Sequence, residues 1–182
     1  MLDALIQLDG NILLWIQEYI RNDFLTPIIT FITKLGDAGM VWIAIAVLLL
    51  CFKKTRKTGL LVGFALIGSL VVNNIILKNL FARIRPYDVI EGLNILIEKP
   101  GEFSFPSGHT GSSFAAGVML FLACPKKYGV PALVLAFLIG LSRLYVGVHY
   151  PTDVLGGMVT GTLIAVCIWN VYQKKMKSGD TD

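Results

Sequence analysis

Three short blocks of the sequence hold the polar residues whose types and spacing could carry out chemistry. They are KNLFARIRP at 78–86, PSGH at 106–109 and SRLYVGVHYPTD at 142–153, and they include the only two histidines of the chain. Each block stands at the end of an apolar run, where burying an unpaired charge would be costly. We therefore interpret the three blocks as parts of one site that surrounds an anion.

The cations of these blocks predict a site for a tetrahedral oxyanion such as phosphate. Lys78 supplies a point charge, and Arg85 and Arg143 supply paired N–H donors. Ser107 and Gly108 stand at the start of a predicted helix, where unpaired backbone N–H groups and the positive end of the helix dipole also favour an anion. Glycine at that place lets the backbone approach the anion closely.

The two histidines predict nucleophilic and acid–base chemistry. His149 and Asp153 are four residues apart, and Pro151 between them suits the first turn of a helix. This spacing can bring the carboxylate to one ring nitrogen, which fixes the tautomer and leaves the other nitrogen free to attack. His149 is therefore the predicted nucleophile. His109 is predicted to protonate the departing oxygen and later to activate water.

Two other interpretations of the same residues stay open. A metal site could be built from His109, His149 and Asp153, although three nearby cations would repel a divalent ion, so neither a metal nor another cofactor is predicted. Each residue could instead be structural, as an interface anchor, a packing histidine or a helix cap. The joint occurrence of all blocks on one predicted membrane face, described below, argues against that second interpretation.

The composition predicts an integral membrane protein. Of the 182 residues, 55% are hydrophobic and 15% are charged, which is unusual for a soluble domain. The net charge of +4 is concentrated in short clusters, which indicate membrane topology rather than nucleic-acid binding. We interpret Cys51, Cys124 and Cys167 as small buried hydrophobes without a disulfide or metal framework. The N-terminus lacks the pattern of a cleaved signal peptide.

The apolar runs predict an all-α polytopic membrane bundle of about five to six transmembrane helices, in one domain over residues 1–182. Residues 1–35 form its N-terminal part: 4–20 are predicted as an amphipathic interfacial helix, and 24–33 as a short packed or re-entrant helix. A hydrocarbon core of roughly 30 Å needs about 20 apolar residues in a helix. Five runs come close to that length, at 37–53, 59–77, 111–124, 130–147 and 152–172.

The basic clusters predict which side of the membrane each loop occupies. In an alternating five-span bundle, the clusters at 53–57, 126–127 and 174–177 fall on one face, which the positive-inside rule makes cytoplasmic. The three chemical blocks then share the opposite, outer face. The loop 87–105 lies there as well, and we interpret its charged residues as candidates for gating or headgroup selection: Glu91, Glu98, Lys99 and Glu102.

The three blocks resemble the signature of the type 2 phosphatidic acid phosphatase (PAP2) superfamily, K-x6-R-P, P-S-G-H and S-R-x5-H-x3-D. Every position of that signature is matched between residues 78 and 153. The resemblance implies a metal-independent phosphatase with a helical core shared with haloperoxidases and a phosphohistidine intermediate. It makes His149 the nucleophile, Asp153 its orienting partner and His109 the acid and base. The residues implied to hold phosphate are Lys78, Arg85, Ser107, Gly108 and Arg143.

The short chain is similar to small bacterial lipid phosphatases that act on undecaprenyl diphosphate, phosphatidylglycerophosphate or phosphatidate. We predict an enzyme of the cell membrane whose active site faces the extracytoplasmic side, with a lipid phosphate as substrate and membrane lipids as its surroundings. A non-catalytic lipid-phosphate carrier or flippase is the alternative. A carrier needs the cations but has no use for the pair of His149 and Asp153. A structural protein whose polar groups pair with each other is a further alternative.

Overall fold

The computed structural model describes residues 2–179 of the chain, with side chains from Ile6 to Ser178. Over this range the secondary structure is helical and contains no β-strand, so the predicted all-α class is confirmed. Many large apolar side chains lie on the outside of the bundle, among them Phe24, Leu80 and Phe64, which are 76%, 72% and 58% exposed. An apolar exterior of this kind fits a bundle that is surrounded by lipid.

The N-terminal part consists of two helices. Helix α1 runs over Leu2–Trp15 and continues as a π-helical turn over Ile16–Ile20, where the amphipathic helix was predicted. Helix α2, Leu25–Leu35, takes the place of the predicted short helix. Its first backbone N–H groups are capped by Asn22, whose Oδ1 accepts from Phe24 N at 3.1 Å and from Leu25 N at 2.8 Å. Helix α2 packs against α7, described below.

A sharp bend follows α2. The turn at Asp37–Gly39 contains two residues in the left-handed region, Ala38 at φ 49° and Gly39 at φ 69°, before α3 runs over Met40–Cys51. Helix α3 has 12 residues, about 18 Å, and is too short to cross a hydrocarbon core alone. Together α2 and α3 form an apolar pair of helices bent by 49°, the geometry of a broken span or of a re-entrant loop. The structure therefore differs from the predicted self-contained span over 37–53, because the turn takes up the first three residues of that run and leaves α3 with 12 residues.

The longest helical stretch leads directly to the first chemical block. Helix α4, Arg56–Ser69, continues without a break through a π-helical segment, Leu70–Leu77, into the short helix α5, Lys78–Phe81. The helix ends because Ala82 adopts a left-handed conformation, with φ 44°. The following extended segment turns Arg85 inward, to 4% exposure, and leaves Ile84 outside, at 61%.

The remaining helices surround a central one. Helix α6, Gly108–Ala123, packs against α4, α7 (Lys126–Tyr145) and α8 (Pro151–Gly179). Helices α6 and α8 approach closely because glycines lie between them. A Cβ at Gly161 would stand 2.4 Å from the Gly111 carbonyl oxygen, and one at Gly157 would stand 2.7 Å from that of Ser107. This contact brings the start of α6 against the start of α8 and joins the second and third chemical blocks.

Three helical stretches of the described range are long and apolar enough to cross a membrane: the one within Arg56–Asp88, Lys126–Tyr145 and Pro151–Ser178. The number is four if the bent pair of α2 and α3 counts as one span. Helix α6 has 16 residues and lies inside the bundle, where neighbouring helices rather than lipid cover it. The predicted membrane-embedded helical bundle is confirmed, and its count of five to six spans stays a prediction.

The cysteines do not all lie where they were predicted. Cys51 and Cys167 are exposed on the bundle surface, Cys124 is half-buried, and all three are free. Their interpretation as buried residues is therefore wrong for Cys51 and Cys167. The reason is that lipid solvates the exterior of a membrane bundle, so a small apolar side chain need not be covered by protein.

Candidate active site

His149 lies in the turn between α7 and α8 and is 1% exposed. Its Nδ1 stands 3.4 Å from Asp153 Oδ2, and its Nε2 stands 3.3 Å from Arg85 Nη1. Because a guanidinium can only donate, Nε2 is the acceptor in that contact, and the ring proton is therefore on Nδ1, facing the carboxylate. The lone pair of Nε2 is on the side of the cationic residues.

The His149 imidazole is uncharged at neutral pH. Burial lowers its pKa to about 3, and the hydrogen bond with Asp153 offsets only part of that effect, while the positive charges of Arg85 and Arg143 lower the pKa further. A neutral ring keeps the Nε2 lone pair available, which is the state that a nucleophile requires.

Asp153 is fixed through both of its oxygens. It is fully buried in the first turn of α8, where Oδ2 accepts from Ser104 Oγ at 2.5 Å and from Tyr150 N at 2.9 Å. Oδ1 accepts from Arg83 Nη1 at 2.7 Å. The sequence did not single out Ser104 or Arg83, although Arg83 belongs to the first block.

The three predicted phosphate cations converge on one cavity. Lys78, Arg85 and Arg143 are each at most 4% exposed, and all of them line the cavity together with the two histidines. Arg85 is held by the carbonyl oxygens of Glu102, 2.7 Å from Nε, and Val148, 3.0 Å from Nη1.

Arg143 is held on one side only. Its Nη1 donates to Thr33 Oγ1 of α2 at 2.6 Å, a partner that the sequence did not indicate. Its buried Nε has no hydrogen-bond partner among the described residues. A buried, unpartnered N–H of an arginine is costly unless it serves a ligand, and this one belongs to a residue that lines the cavity.

The start of α6 contributes backbone rather than hydroxyl groups. Gly108 lines the cavity, and a Cβ there would stand 2.9 Å from Asn74 Oδ1, so glycine permits this close packing. Ser107 is fully buried and is not among the cavity-lining residues. Its Oγ accepts from Thr110 N at 3.4 Å and contacts Thr110 Oγ1 at 2.9 Å, which makes it the helix cap. Its predicted contact with phosphate stays a prediction.

His109 faces the same cavity from α6, and a carboxylate from the bend between α2 and α3 contacts it. His109 Nε2 stands 2.8 Å from Asp37 Oδ1. The chain passes so close to the ring that a Cβ at Gly36 would stand 2.8 Å from His109 Cδ2. The sequence indicated only that a short helix ends near residue 33 and that an apolar run begins at 37. Asp37 was missed because nothing in its spacing relates it to a residue 72 positions away.

Replacing Asp37 with Asn should lower kcat of phosphate release about 10- to 100-fold, since a hydrogen bond to a charged group contributes about 1.5–3 kcal/mol. The reason is that the amide supports a protonated His109 less well than the carboxylate does. KM should stay nearly constant, because Lys78, Arg85 and Arg143 are unchanged. Steady-state kinetics in detergent micelles would measure both constants, with exposed Asp23→Asn as the matched control. An unchanged kcat would contradict a role of Asp37 in proton transfer.

A carboxylate of the loop 87–105 is paired with one of the cations. Glu102, whose side chain is 63% exposed, forms an ion pair with the buried Lys78, and the hydrogen bond from Lys78 holds the pKa of this carboxyl below its usual range. Glu98, Lys99 and Glu102 line the cavity, whereas Glu91 lies in a separate shallow depression over residues 87–94. The predicted gating role of the loop stays a prediction.

Glu102→Gln should tighten anion binding, because the amide no longer competes with phosphate for the Lys78 ammonium. An exposed ion pair contributes about 0.2–1 kcal/mol, so the inhibition constant of orthovanadate should fall by at most about fivefold. Titration of vanadate against a soluble phosphomonoester would measure it, with Glu91→Gln as the matched control. A higher inhibition constant in Glu102→Gln would show that the carboxylate assists anion binding.

The cavity joins the polar site to an apolar surface. It has a volume of about 1360 Å³ and continues from the cations along α3 and α4. There its walls are apolar side chains that are roughly half exposed on the outside of the bundle: Ile43, Val47, Leu60, Phe64 and Ile67. A molecule with an anionic end and a hydrocarbon tail can thus be held with its end among the cations and its tail toward lipid.

Among the described residues, no group of three or more His, Cys, Asp or Glu side chains is placed to hold a metal ion. The proposed ligands of the metal alternative have other partners: His109 contacts Asp37, and His149 and Asp153 are held by Arg85 and Arg83.

Comparisons with known proteins agree on one family. The family model described as PAP2 superfamily matches residues 58–177. The chain is 35% identical over 141 residues to an undecaprenyl-diphosphatase from Sulfolobus acidocaldarius, covering 78% of this chain and 68% of that relative. It also resembles the crystal structure of a transmembrane PAP2 type phosphatidylglycerolphosphate phosphatase from Bacillus subtilis, with a TM-score of 0.78, 30% identity, and coverage of 94% and 87% of the two chains.

A second solved structure, that of Aquifex aeolicus LpxE, aligns with a TM-score of 0.77 at 28% identity and covers 92% of this chain and 95% of that one. Both structural matches extend over more than nine tenths of the chain.

Proposed function

The chain belongs to the PAP2 superfamily and is a phosphatase, as its three motifs predicted, and from this premise we propose that it hydrolyses a lipid phosphate through a phosphohistidine intermediate. The observation that carries the proposal is the single cavity that connects an apolar wall to three buried cations and two histidines. A soluble phosphate ester needs the cations but not the apolar wall. The wall therefore favours a substrate that keeps its tail in the membrane.

The names of the similar proteins suggest the range of substrates. One relative is named for a diphosphate of a polyprenyl lipid, and another match is named for a phosphate ester of phosphatidylglycerol. What these substrates share is a phosphate group at the end of a hydrocarbon chain. We carry over that class to this chain, with undecaprenyl diphosphate, phosphatidylglycerophosphate and phosphatidate as its candidate members.

Binding would depend on the cations. Lys78, Arg85 and Arg143 neutralise the phosphate oxygens, and the unpartnered Nε of Arg143 supplies a donor that no described protein group uses. The free N–H groups at the start of α6 lie on the same cavity. Fixed donors of this kind stabilise the charge of the equatorial oxygens as the transition state forms.

The reaction would then proceed in two displacements. In the first, Nε2 of His149 forms a bond to phosphorus, the bond from phosphorus to the leaving oxygen breaks, and His109 donates a proton to that oxygen. Asp153 stabilises the positive charge that develops on the phosphorylated ring. In the second, His109 removes a proton from water, the water oxygen bonds to phosphorus, and the bond to Nε2 breaks. The products are the dephosphorylated lipid and inorganic phosphate.

We also propose that the site faces the extracytoplasmic side. The helices α4, α6, α7 and α8 alternate in direction, so their ends at the site are opposite the ends that carry the basic clusters 53–57, 126–127 and 174–177. The positive-inside rule places those clusters in the cytoplasm. We therefore expect fluorescence from a fusion that carries, after α8, a fluorescent protein that matures only in the cytoplasm. A fusion that is fully expressed but not fluorescent would show the opposite orientation.

The decisive experiment is an assay of purified protein in detergent against a panel of lipid monophosphates and diphosphates in the presence of EDTA. Release of inorganic phosphate is the expected result. Binding of the lipids without release would support the carrier alternative, and neither binding nor release would support the structural one. Activity that is abolished by EDTA and restored by zinc would support the metal alternative instead.

A further inference from the structure

Arg83 lies between two buried carboxylates and is not a signature position of the first block. Its Nη1 donates to Asp153 Oδ1 at 2.7 Å, and its Nη2 donates to Asp9 Oδ2 at 2.8 Å. Its guanidinium also stacks on the ring of Tyr150, 3.9 Å from the centroid. The two nitrogens of one planar fork thus join α1 to the first turn of α8.

Asp9 is the other end of this connection. It is 2% exposed although it lies on α1, the predicted surface helix. Its Oδ1 accepts from Thr152 N at 3.1 Å, and its Oδ2 contacts the Thr152 hydroxyl as well as Arg83. A buried carboxylate on an amphipathic helix is costly unless it is paired, and here its partners are Arg83 and Thr152, which precedes Asp153 directly.

On the premise of the proposed function, we propose that Arg83 is a positioning residue for the pair of His149 and Asp153, and that Asp9 holds Arg83 in place. Arg83 binds Oδ1 of Asp153, so Oδ2 is the oxygen that remains directed at the His149 ring. Without that contact, the carboxylate is held only through Oδ2, by Ser104 Oγ and Tyr150 N, and its orientation toward Nδ1 is less restricted. The imidazole would then lose the partner that fixes its tautomer.

Arg83 is distinct from the phosphate-binding cations in its location. Lys78, Arg85 and Arg143 line the cavity, whereas Arg83 does not. In the extended segment after Ala82, the two arginines are two residues apart but have different partners: Arg85 reaches His149 Nε2, and Arg83 reaches the far side of Asp153. Loss of Arg83 should therefore change the chemical step and leave substrate binding intact.

The test compares Arg83→Gln and Arg83→Lys with the unmodified full-length protein in detergent. Arg83→Gln should lower kcat about 10- to 100-fold, the range expected for one charge-assisted hydrogen bond, with KM and the vanadate inhibition constant within about twofold of the parent. Arg83→Lys keeps the charge but loses the fork, so it should recover part of kcat. Exposed Arg56→Gln is the matched control.

Asp9→Asn is a second, milder variant that keeps the inference testable if Arg83→Gln does not fold. It should lower kcat about tenfold, again with KM unchanged, and Asp23→Asn is its matched control. If Arg83 and Asp9 only stabilise the fold, both variants should have a lower melting temperature and no selective loss of kcat. Full kcat in a folded variant, or a raised KM at constant kcat, would overturn the proposal.

A spectroscopic readout separates this inference from the proposed function. The chain has only two histidines, so the imidazole signals of ¹⁵N-histidine-labelled protein can be assigned with His109→Gln. The downfield Nδ1–H proton of His149 should be present in the parent and lost in Arg83→Gln. Its persistence in the variant would overturn the positioning role whether or not the parent releases phosphate, whereas failure of the proposed function would show as absence of release by the parent.

Discussion

His149→Ala should abolish phosphate release, with a loss of at least about 10⁴-fold in kcat, since removal of the nucleophile from a catalytic unit costs on the order of 10⁶ in a serine hydrolase. The alanine has no group that can bond to phosphorus. His109 is the other imidazole that lines the cavity, and the nearby Thr33 hydroxyl already accepts a hydrogen bond from Arg143. The measurement is release of inorganic phosphate from the most active lipid of the panel.

Binding provides the control for this variant. The three cations are unchanged in His149→Ala, so vanadate and lipid phosphate should still bind, and a distant exposed substitution, Tyr128→Phe, should keep full activity. Binding without hydrolysis in the variant, beside hydrolysis in the parent, would identify the residue as the nucleophile rather than as a binding group. Activity that survives the substitution would refute the phosphohistidine mechanism. It would favour a mechanism in which the cations bind phosphate and His149 is not the nucleophile.

The sequence predicted the members of the site that belong to its signature but few of their partners. The blocks 78–86, 106–109 and 142–153 were predicted to meet on one face, and the structure brings them around one cavity. Ser104, Asp37, Asp9 and Thr33 were missed. Each of them contacts a residue of the three blocks that is 49 to 143 positions away, and such contacts depend on tertiary packing that no local periodicity encodes.

The bend between α2 and α3 is a feature of the fold that the sequence predicted only in part. The sequence predicted a short helix at 24–33 and a separate apolar run from 37. It did not predict that the bend between them would bring Asp37 to His109. The length of α3 was overestimated because apolar composition alone does not show where a backbone turns. Composition and spacing therefore predicted the fold class, whereas the bend and the contacts it makes depend on packing.

The surface of α1 was misjudged for a related reason. Asp9 lies off the apolar stripe of the predicted amphipathic helix, which is the usual place of a solvated residue. In the structure it is buried, because Arg83 and Thr152 supply the hydrogen bonds that compensate its charge. A polar residue off the apolar face can thus contact another segment of the chain instead of solvent. The sequence does not show such a contact, because it depends on where the partner lies in the fold.

His109→Ala should lower kcat on a lipid phosphate by about 10²- to 10⁴-fold, the usual contribution of a general acid or base. The loss should depend on the leaving group, which separates this residue from His149. p-Nitrophenolate departs without a proton, so the first displacement on p-nitrophenyl phosphate should be nearly normal in the variant. The second displacement still needs a base to activate water, and the phosphorylated enzyme should therefore accumulate.

Two measurements test that expectation. Rapid mixing with p-nitrophenyl phosphate should give a burst of p-nitrophenolate in His109→Ala followed by slow turnover, and ³²P-labelled substrate should leave acid-labile, base-stable label on the variant. The double variant His109→Ala with His149→Ala is the control and should show neither burst nor label. A His109→Ala enzyme that is equally slow in both displacements, without label, would assign His109 to phosphate binding. Label retained in the double variant would place the covalent intermediate on another residue.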